Sequence, residues 1–514
     1  MRSVAFRKRL LVIFLRGGNV TVNFNSYILA IMNIRKIKFE KAIWILVSVL
    51  SLLISMVVML DINKPIYYTC LPLLPLSFAI INFFSYGIYE NIFDFSHNLA
   101  KLIIHVLFFI RESVAIYFLY KGGYVATLNK LSEKNVNAGI ALMIFETCCV
   151  YIVLNFYGKI HFKLGKLHSF KPTIKNGKYK KSKYKFVGFI MMVCVLFCIL
   201  AYAISPLIRN SYSALWDSSL LSTDGYFLAK MEAQAGSKDR ILFTLFNVFF
   251  DFTRILFPCL VLYELRKKIG DKFGCVAVGA ILCVIQFAMI LNENIYILIT
   301  VMIIGIFMLK IFPKYRNFMK RMLIVVGIIV VVYYFISVAF TVSVGKGNIY
   351  EIFSDMFQIY FPGITNIACG FNIVDNNILN TLFFDIYEAI PFHSTLFGLS
   401  GDRLSDLYNA YNGVKYTICP GIIQSYHYLG IFAPVVTCCI VIIALKTQKK
   451  LNDSKDMFAY AAYALLLIYT SMTPVCYYPT VLLSRFLSTI LPMLIISKFA
   501  GNNYTFNRIG IIEE

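Results

Sequence analysis

The chain has 514 residues, of which 59% are hydrophobic and only 15% are charged. A soluble domain usually carries ~25% charged residues, so the composition excludes a soluble globular protein and indicates an integral membrane protein. The formal net charge of +23 would suggest nucleic-acid binding in a soluble protein. In a membrane protein basic residues gather in the cytoplasmic loops instead, and we therefore predict no nucleic-acid partner.

Apolar segments long enough to cross a membrane fill most of the chain, since a helix of ~20 apolar residues spans the hydrocarbon core. The sequence predicts an all-α, polytopic membrane protein with about twelve transmembrane helices. The predicted spans are 42–60, 66–84, 102–120, 137–157, 186–207, 241–263, 273–291, 295–312, 322–340, 422–445, 457–472 and 481–496. This number of spans places every strongly basic loop on one side.

Basic residues set the predicted topology. Residues 1–41 are predicted to be a cytoplasmic N-terminal extension, with translation from Met32 as an alternative, and residues 42–514 a single polytopic membrane domain. The loop 158–185 holds ten lysines and no acidic residue, so we expect it in the cytoplasm, together with both termini. Two long loops, 208–240 and 341–418, then fall on the outer side. The larger one, between the ninth and tenth spans, is acidic.

Two segments of the large outer loop have helical periodicity. Residues 349–360 place their apolar side chains on one face, which is typical of a helix lying along the outer membrane surface. Residues 402–412 predict a second helix, with Ser400 or Asp402 as its N-cap and Gly413 as its C-cap. We therefore expect the large loop to be folded.

Cations are scarce in this acidic loop, which makes Arg403 and Lys415 candidate site residues. An arginine presents a planar fork that holds phosphate oxygens through two hydrogen bonds. The alternative is that Arg403 forms a local pair with Asp402 or Asp406.

Two histidines and three arginines complete the outer-side candidates. His393 and His427 could accept a proton near neutral pH, although a lone histidine is more often a hydrogen-bonded structural residue. Arg209, Arg240 and Arg485 border predicted spans. Each could bind an anionic lipid head group, or could extend to the interface as an anchor.

Charged residues also occur inside predicted spans. Asp251 and Arg254 are three residues apart, which predicts a buried ion pair that fixes helix packing, with a proton or ion path as the alternative. Arg111 neighbours Glu112, whereas Glu146 has no evident local partner. The sequence contains no P-loop, dinucleotide fingerprint, GxSxG elbow or metal-ligand spacing. We therefore predict no metal and no cofactor.

The segment 417–434 reads TICPGIIQSYHYLGIFAP and runs from the end of the large outer loop straight into the tenth span. It resembles the corresponding region of the Wzy-type polymerases of O-antigen and capsule repeat units. The resemblance extends to the plan of about twelve spans, both termini inside, a moderate outer loop after the fifth span and the largest after the ninth.

The resemblance implies an integral-membrane glycosyltransferase of the bacterial cytoplasmic membrane. Such an enzyme moves a growing glycan from its undecaprenyl pyrophosphate carrier onto the next lipid-linked repeat unit at the outer face, without a metal. Its partners would be lipid-linked oligosaccharide and membrane lipids, with a chain-length regulator and a flippase as further candidates. The family uses outer-loop arginines, a role that the resemblance gives to Arg403. On chemical grounds we expect His393 or His427, with Asp402 as a further alternative, to take the proton of the acceptor hydroxyl. The expected substrate-binding residues are Arg209, Arg240, Lys415 and Arg485.

Alternatives to the polymerase remain open at the level of sequence. An O-antigen ligase shares the plan and the chemistry but uses a different acceptor. A polysaccharide flippase or secondary transporter usually has short loops and symmetric halves. The large loop could also be a sensor or assembly surface without chemistry.

Overall fold

The computed structural model describes residues 24–61, 68–124, 131–164, 182–212, 237–289, 294–322, 336, 348–375, 377–391, 393, 399, 401–413, 418–500 and 504–506. Within these ranges every regular element is helical, apart from one isolated bridge between Asp456 and Thr505. The predicted all-α fold class is therefore confirmed.

The helices follow in chain order as α1 (Phe24–Leu60), α2 (Leu73–Phe84), α3 (Phe95–Phe109), α4 (Ala115–Gly122), α5 (Glu133–Leu164), α6 (Ser182–Ile204), α7 (Pro206–Tyr212), α8 (Ser237–Ile269), α9 (Phe273–Met289), α10 (Asn294–Ile311), α11 (Ile349–Tyr360), α12 (Ile364–Gly370), α13 (Ile378–Glu388), α14 (Leu404–Asn412), α15 (Gly421–Leu429), α16 (Ala433–Asp453), α17 (Met457–Cys476), α18 (Pro479–Arg485) and α19 (Leu491–Ala500). A π-helical turn, Ile110–Val114, joins α3 to α4, and a second, Phe486–Ile490, joins α18 to α19.

Seven of the described helical stretches are long and apolar enough to cross a membrane, or eight if α10 and the helix Pro313–Met322 form one bent span. Three shorter apolar helices, Leu73–Phe84, Gly188–Ile204 and Phe273–Gln286, coincide with the second, fifth and seventh predicted spans. The ninth predicted span, 322–340, lies almost wholly outside the described residues. These helices support a multi-pass membrane protein, and the number of about twelve spans stays a prediction.

The predicted loops are described only in part. Helix α1 begins at Phe24, so the last residues of the predicted extension 1–41 continue the first span as one helix. Residues 1–23 lie outside the described part of the chain, as do 165–181 of the basic loop and 213–236 of the first outer loop. The sidedness of these segments stays a prediction.

Helix α17 lies at the centre of the bundle. It contacts α3, α8, α10, α16 and α19, and nearly all of its side chains are buried. Its sequence, MFAYAAYALLLIYTSMTPVC, is apolar around the whole circumference, which is typical of a helix surrounded by others. Its alanines allow neighbouring helices to approach closely.

A fully buried ion cluster joins four elements of this bundle. Arg111, in the first π turn, pairs through Nη2 with Glu112 at 2.8 Å and with Glu146 of α5 at 2.7 Å. Its Nη1 donates to the carbonyl of Pro474 in α17 at 3.3 Å, and Thr437 of α16 donates to Glu146 at 2.7 Å. Glu146, which has no partner nearby in the sequence, is thus paired through the tertiary fold.

Replacing Arg111 should destabilise the whole bundle. Arg111→Met would leave Glu112 and Glu146 buried without their cation, a change that typically costs about 3–5 kcal/mol. We expect a lower thermal unfolding temperature in detergent, and partial recovery when both glutamates are also replaced by Gln. The matched control is Arg209→Met, since Arg209 is exposed on α7. Equal unfolding temperatures for Arg111→Met and the parent protein would contradict this role.

The end of the described chain packs against the N-terminus of α17. Tyr504 and Phe506 are almost fully buried, and the hydroxyl of Tyr263 in α8 donates to the carbonyl of Thr505 at 2.8 Å. The bridge between Asp456 and Thr505 holds this segment beside the first residue of α17. Residues 504–506 thereby link α8 and α17 at one end of the bundle.

Asp456 predicts a pH-dependent stability. Its carboxylate accepts a hydrogen bond from the backbone amide of Ala459 at 2.9 Å and so caps α17. Burial raises the pKa of Asp456 from 3.8 to about 6, although hydrogen bonds to the helix amides lower it. The folded state therefore binds a proton on Asp456 more tightly than the unfolded state does. The stabilisation that this proton gives is complete below pH 3.8 and is lost as the pH rises through about 6.

The variant Asp456→Asn should consequently be more stable than the parent protein at neutral pH. Asparagine is an equally good helix cap and carries no charge to bury. We expect a gain of about 1–3 kcal/mol at about pH 8, seen as a higher thermal unfolding temperature, and little gain at about pH 4.5. A variant that is less stable than the parent at both pH values would refute this account.

Candidate functional site

Helices α11 to α14 form the described part of the large predicted outer loop. The predicted helix 349–360 is confirmed as α11, and its N-cap Asn348 accepts a hydrogen bond from the amide of Tyr350 at 3.1 Å. The apolar face of α11 packs on α4, where the ring of Phe118 lies 5.0 Å from Phe353 and 5.4 Å from Phe357. The loop is therefore folded onto the bundle.

The second predicted helix is confirmed as α14, but its N-cap differs from the prediction. Gly413 is the C-cap, with a left-handed φ of 61°, as predicted. The N-cap position is Arg403, rather than Ser400 or Asp402, and its side chain makes no capping hydrogen bond. The first amide of the helix, that of Leu404, donates to Asp385 of α13 at 3.2 Å instead. A carboxylate from another helix thus accepts a hydrogen bond that a local N-cap side chain would otherwise accept.

Asp385 is the buried polar centre of this outer region. Besides the Leu404 amide, its carboxylate accepts hydrogen bonds from Gln424 at 2.6 Å and from the hydroxyl of Tyr428, both on α15. Gln424 also donates to Thr480 of α18 at 2.9 Å. Through one side chain, α13, α14 and α15 are held together, and Gln424 extends the network to α18.

Arg403 forms the local pair that was the alternative to phosphate binding. Its Nε and Nη2 donate to the two oxygens of Asp406 at 2.8 and 2.9 Å, and its Nη1 lies 2.7 Å from Glu388 of α13. The hydrogen bonds to Asp406 and the charge of Glu388 raise the pKa of Arg403, outweighing the effect of burial. With two carboxylates around it, this guanidinium is poorly placed to attract an anion.

His427 of α15 and Asp375 form a pair between a base and an orienting carboxylate. The Nε2 atom of His427 lies 3.0 Å from Asp375 Oδ2, which also accepts a hydrogen bond from Thr381 at 2.6 Å. Burial alone would raise the pKa of Asp375. The hydrogen bonds from Thr381, His427 and the Asn377 amide lower it by more than burial raises it, so the pKa lies below its ordinary value. An ionised Asp375 favours the tautomer with the proton on Nε2, which leaves Nδ1 of His427 as the proton acceptor.

The other outer-loop candidates lie elsewhere. His393 makes a contact through Nδ1 with the carbonyl of Ile390 at 3.0 Å and packs against Tyr387, which corresponds to the structural alternative. Asp402 is exposed. Lys415 lies outside the described residues.

The two arginines of the first outer loop are not brought to these groups by any described contact. Arg209 is exposed on α7, where its backbone amide bonds to Ser205. Arg240 is in the first turn of α8, but its side chain lies outside the described residues. Their predicted substrate-binding role therefore stays a prediction.

Arg485 meets the predicted Asp251–Arg254 pair inside the bundle. The ion pair is confirmed, with 3.3 Å between Arg254 Nη2 and Asp251 Oδ1. Arg485, at the end of α18, donates to the other oxygen of the same carboxylate. These three side chains line a cavity of about 10 Å³ together with Thr300 and Tyr469. The volume is about that of one water molecule, so a larger anion requires Arg485 to move.

Helix α18 connects this arginine cavity with the outer network. Tyr478, just before α18, lies close enough to Arg403 for the guanidinium charge to act on its hydroxyl, and Arg485 ends the helix. Seven residues of α-helix span ~10 Å. The bond from Gln424 to Thr480 joins α18 to α15, on which His427 follows Gln424 by one turn. The histidine and the arginine cavity are therefore on two directly linked helices.

No protein-family model matches the chain, and no curated protein or solved structure is significantly similar to it. Within the described residues there is no cluster of three or more His, Cys, Asp or Glu side chains that could hold a metal ion. The sequence singled out Arg485, His427 and Asp251 as candidates but not Asp375 or Asp385, because His427 lies 52 residues from Asp375 and Gln424 lies 39 residues from Asp385.

Replacing Asp385 should loosen the outer helices. In Asp385→Asn an amide N–H₂ group replaces one carboxylate oxygen and cannot accept the hydrogen bonds that this oxygen accepts. Each buried donor left without an acceptor lowers the free energy of unfolding by about 1–3 kcal/mol. We expect a lower thermal unfolding temperature and faster proteolysis in the segment 377–413. Asp402→Asn is the matched control, because Asp402 is exposed. If both variants unfold at the parent temperature, Asp385 does not have this structural role.

Proposed function

We propose that this protein polymerises lipid-linked glycans, by transferring a glycan from a lipid pyrophosphate onto the next lipid-linked repeat unit at the outer face of the bacterial cytoplasmic membrane. The observation that supports this most directly is the cavity in which Arg254 and Arg485 share the carboxylate of Asp251. Charged groups inside a membrane protein are costly and usually mark a functional path. An amphiphilic phosphate, whose lipid tail lies in the bilayer, is a ligand that can reach such a site.

The chemistry needs cations and a base. The oxygen of an acceptor hydroxyl bonds to the anomeric carbon of the donor glycan while the bond from that carbon to the pyrophosphate breaks. The pyrophosphate leaves on its lipid carrier, where Arg254 and Arg485 would stabilise its negative charge. The proton of the hydroxyl passes to Nδ1 of His427, which Asp375 holds in orientation.

This assignment changes the role of Arg403. Glu388 and Asp406 already hold its guanidinium, so Arg403 positions α14 against α13 in this proposal, and Arg485 takes the contact with phosphate. The side chain of Arg485 is 23% exposed, which gives it room to turn from Asp251 toward a ligand while Arg254 remains paired with that carboxylate.

The proposal predicts that Arg485→Gln and His427→Asn abolish chain growth without unfolding the protein. Losing a cation that stabilises the leaving group typically lowers the rate ~10²–10³-fold, and losing a general base ~10²–10⁴-fold. The assay uses purified protein with undecaprenyl-pyrophosphate-linked repeat units and no nucleotide, and product length is read on a gel. In cells, each variant should leave single repeat units at the surface.

Lys449→Gln is the control, because Lys449 is exposed near the end of α16 that lies away from α15 and His427. Thermal unfolding of each variant shows whether it is folded. Parent-like polymer length from folded Arg485→Gln protein would refute the proposed phosphate contact. Transfer of finished polymer to an acceptor that is not a lipid-linked repeat unit would indicate the ligase alternative instead.

A further inference from the structure

A basic helix follows α10 at a sharp angle. The helix Pro313–Met322 is bent by 108° from the preceding part of α10. Its sequence, PKYRNFMKRM, holds four cations and no acid, together with four large apolar or aromatic side chains. A basic amphipathic helix that turns sideways at the end of a span is suited to lie in the membrane interface, among anionic head groups.

An apolar groove lies beside this helix, between α3 and α10. It is lined by Leu99, Leu102 and Val106 of α3 and by Met302, Ile306 and Leu309 of α10, and has a volume of about 330 Å³. Helix α3 is kinked at Asn98, and beyond the kink it rises ~10 Å from Leu99 to Val106. This length lies within one leaflet of the ~30 Å hydrocarbon core, so the groove can hold much of one acyl chain.

Two cations of the basic helix stand at the end of this groove. Lys320 places its Nζ atom 5.8 Å from the centre of the Phe95 ring, and Phe95 lines the groove. Arg316 donates through Nε to the carbonyl of Leu309 at 3.3 Å, and Leu309 lines the groove as well. The acid nearest in sequence to this end, Asp94, is held by His97 at 2.9 Å. The end of the groove thus combines a wholly apolar channel with a guanidinium and an ammonium group.

We propose that this groove is a binding site for an anionic phospholipid of the cytoplasmic leaflet. One acyl chain lies along α3 and α10, and the phosphodiester lies between Lys320 and Arg316. The arginine fork suits phosphate oxygens, and each basic residue near an anionic surface strengthens its attraction. A zwitterionic lipid would fill the same channel but would gain less from the two cations. This site is separate from the proposed reaction at Arg485 and does not depend on it.

The test measures lipid binding to the full-length protein by native mass spectrometry and thermal unfolding in detergent. We expect phosphatidylglycerol to bind about tenfold or more tightly than phosphatidylcholine and to raise the unfolding temperature more. Lys320→Gln should weaken phosphatidylglycerol binding about fivefold. Val106→Trp, which fills the groove from its exposed side, should weaken the binding of both lipids.

The matched controls are Lys449→Gln and Val435→Trp, which change an exposed lysine and an exposed valine on α16. Both should bind phosphatidylglycerol like the parent protein. Equal affinity for the two lipids, or unchanged phosphatidylglycerol binding by Lys320→Gln, would overturn the proposed head-group contact. Unchanged binding by Val106→Trp, or equal stabilisation by glycerol phosphate alone, would overturn the proposed chain site.

Discussion

The buried guanidinium of Arg111 is the contact on which the arrangement of the bundle depends. It meets Glu112, Glu146 and the carbonyl of Pro474, and so fixes the first π turn, α5 and α17 relative to one another. Apolar packing alone is a weak guide to register inside a membrane, because lipid and protein are equally apolar there. A charged group with several geometric requirements can be satisfied in only one arrangement of the helices. The second π turn follows Arg485 directly, so each of the two π turns contains or adjoins a charged residue inside the bundle. Such π turns often occur at functional sites.

Arg403 and Arg485 differ in the net charge of the groups that surround them. Arg403 lies in an acidic loop and pairs with the carboxylates of Glu388 and Asp406, so these three side chains carry a net negative charge. Arg485 lies in the bundle, where acids are rare, and shares the single carboxylate of Asp251 with Arg254. Those three side chains carry a net positive charge. Acidic residues outnumber cations in the outer loop. This excess of acids makes Arg403 stand out in the sequence, and it also supplies the carboxylates that neutralise Arg403 in the fold.

The sequence predicted what depends on local pattern. Hydropathy was sufficient for the all-α class, helical periodicity for α11 and α14, and a spacing of three residues for the pair of Asp251 with Arg254. It could not predict contacts between distant segments. His427 lies 52 residues from Asp375, and Arg485 lies 234 residues from Asp251, so no spacing rule applies to them. The N-cap of α14 was assigned wrongly for the same reason, since the amide of Leu404 is satisfied by Asp385 from another helix.

Helix α10 connects the two sites proposed here. Ile299 and Thr300 line the arginine cavity, and Met302 begins the lining of the lipid groove little more than half a turn later. At its far end, α10 is held by Arg316 through the carbonyl of Leu309. A phosphate that draws Arg316 away from this carbonyl would release the last turn of the same helix that forms one wall of the arginine cavity. The proposed lipid and the proposed phosphate ligand would then both contact this helix, at different positions along it.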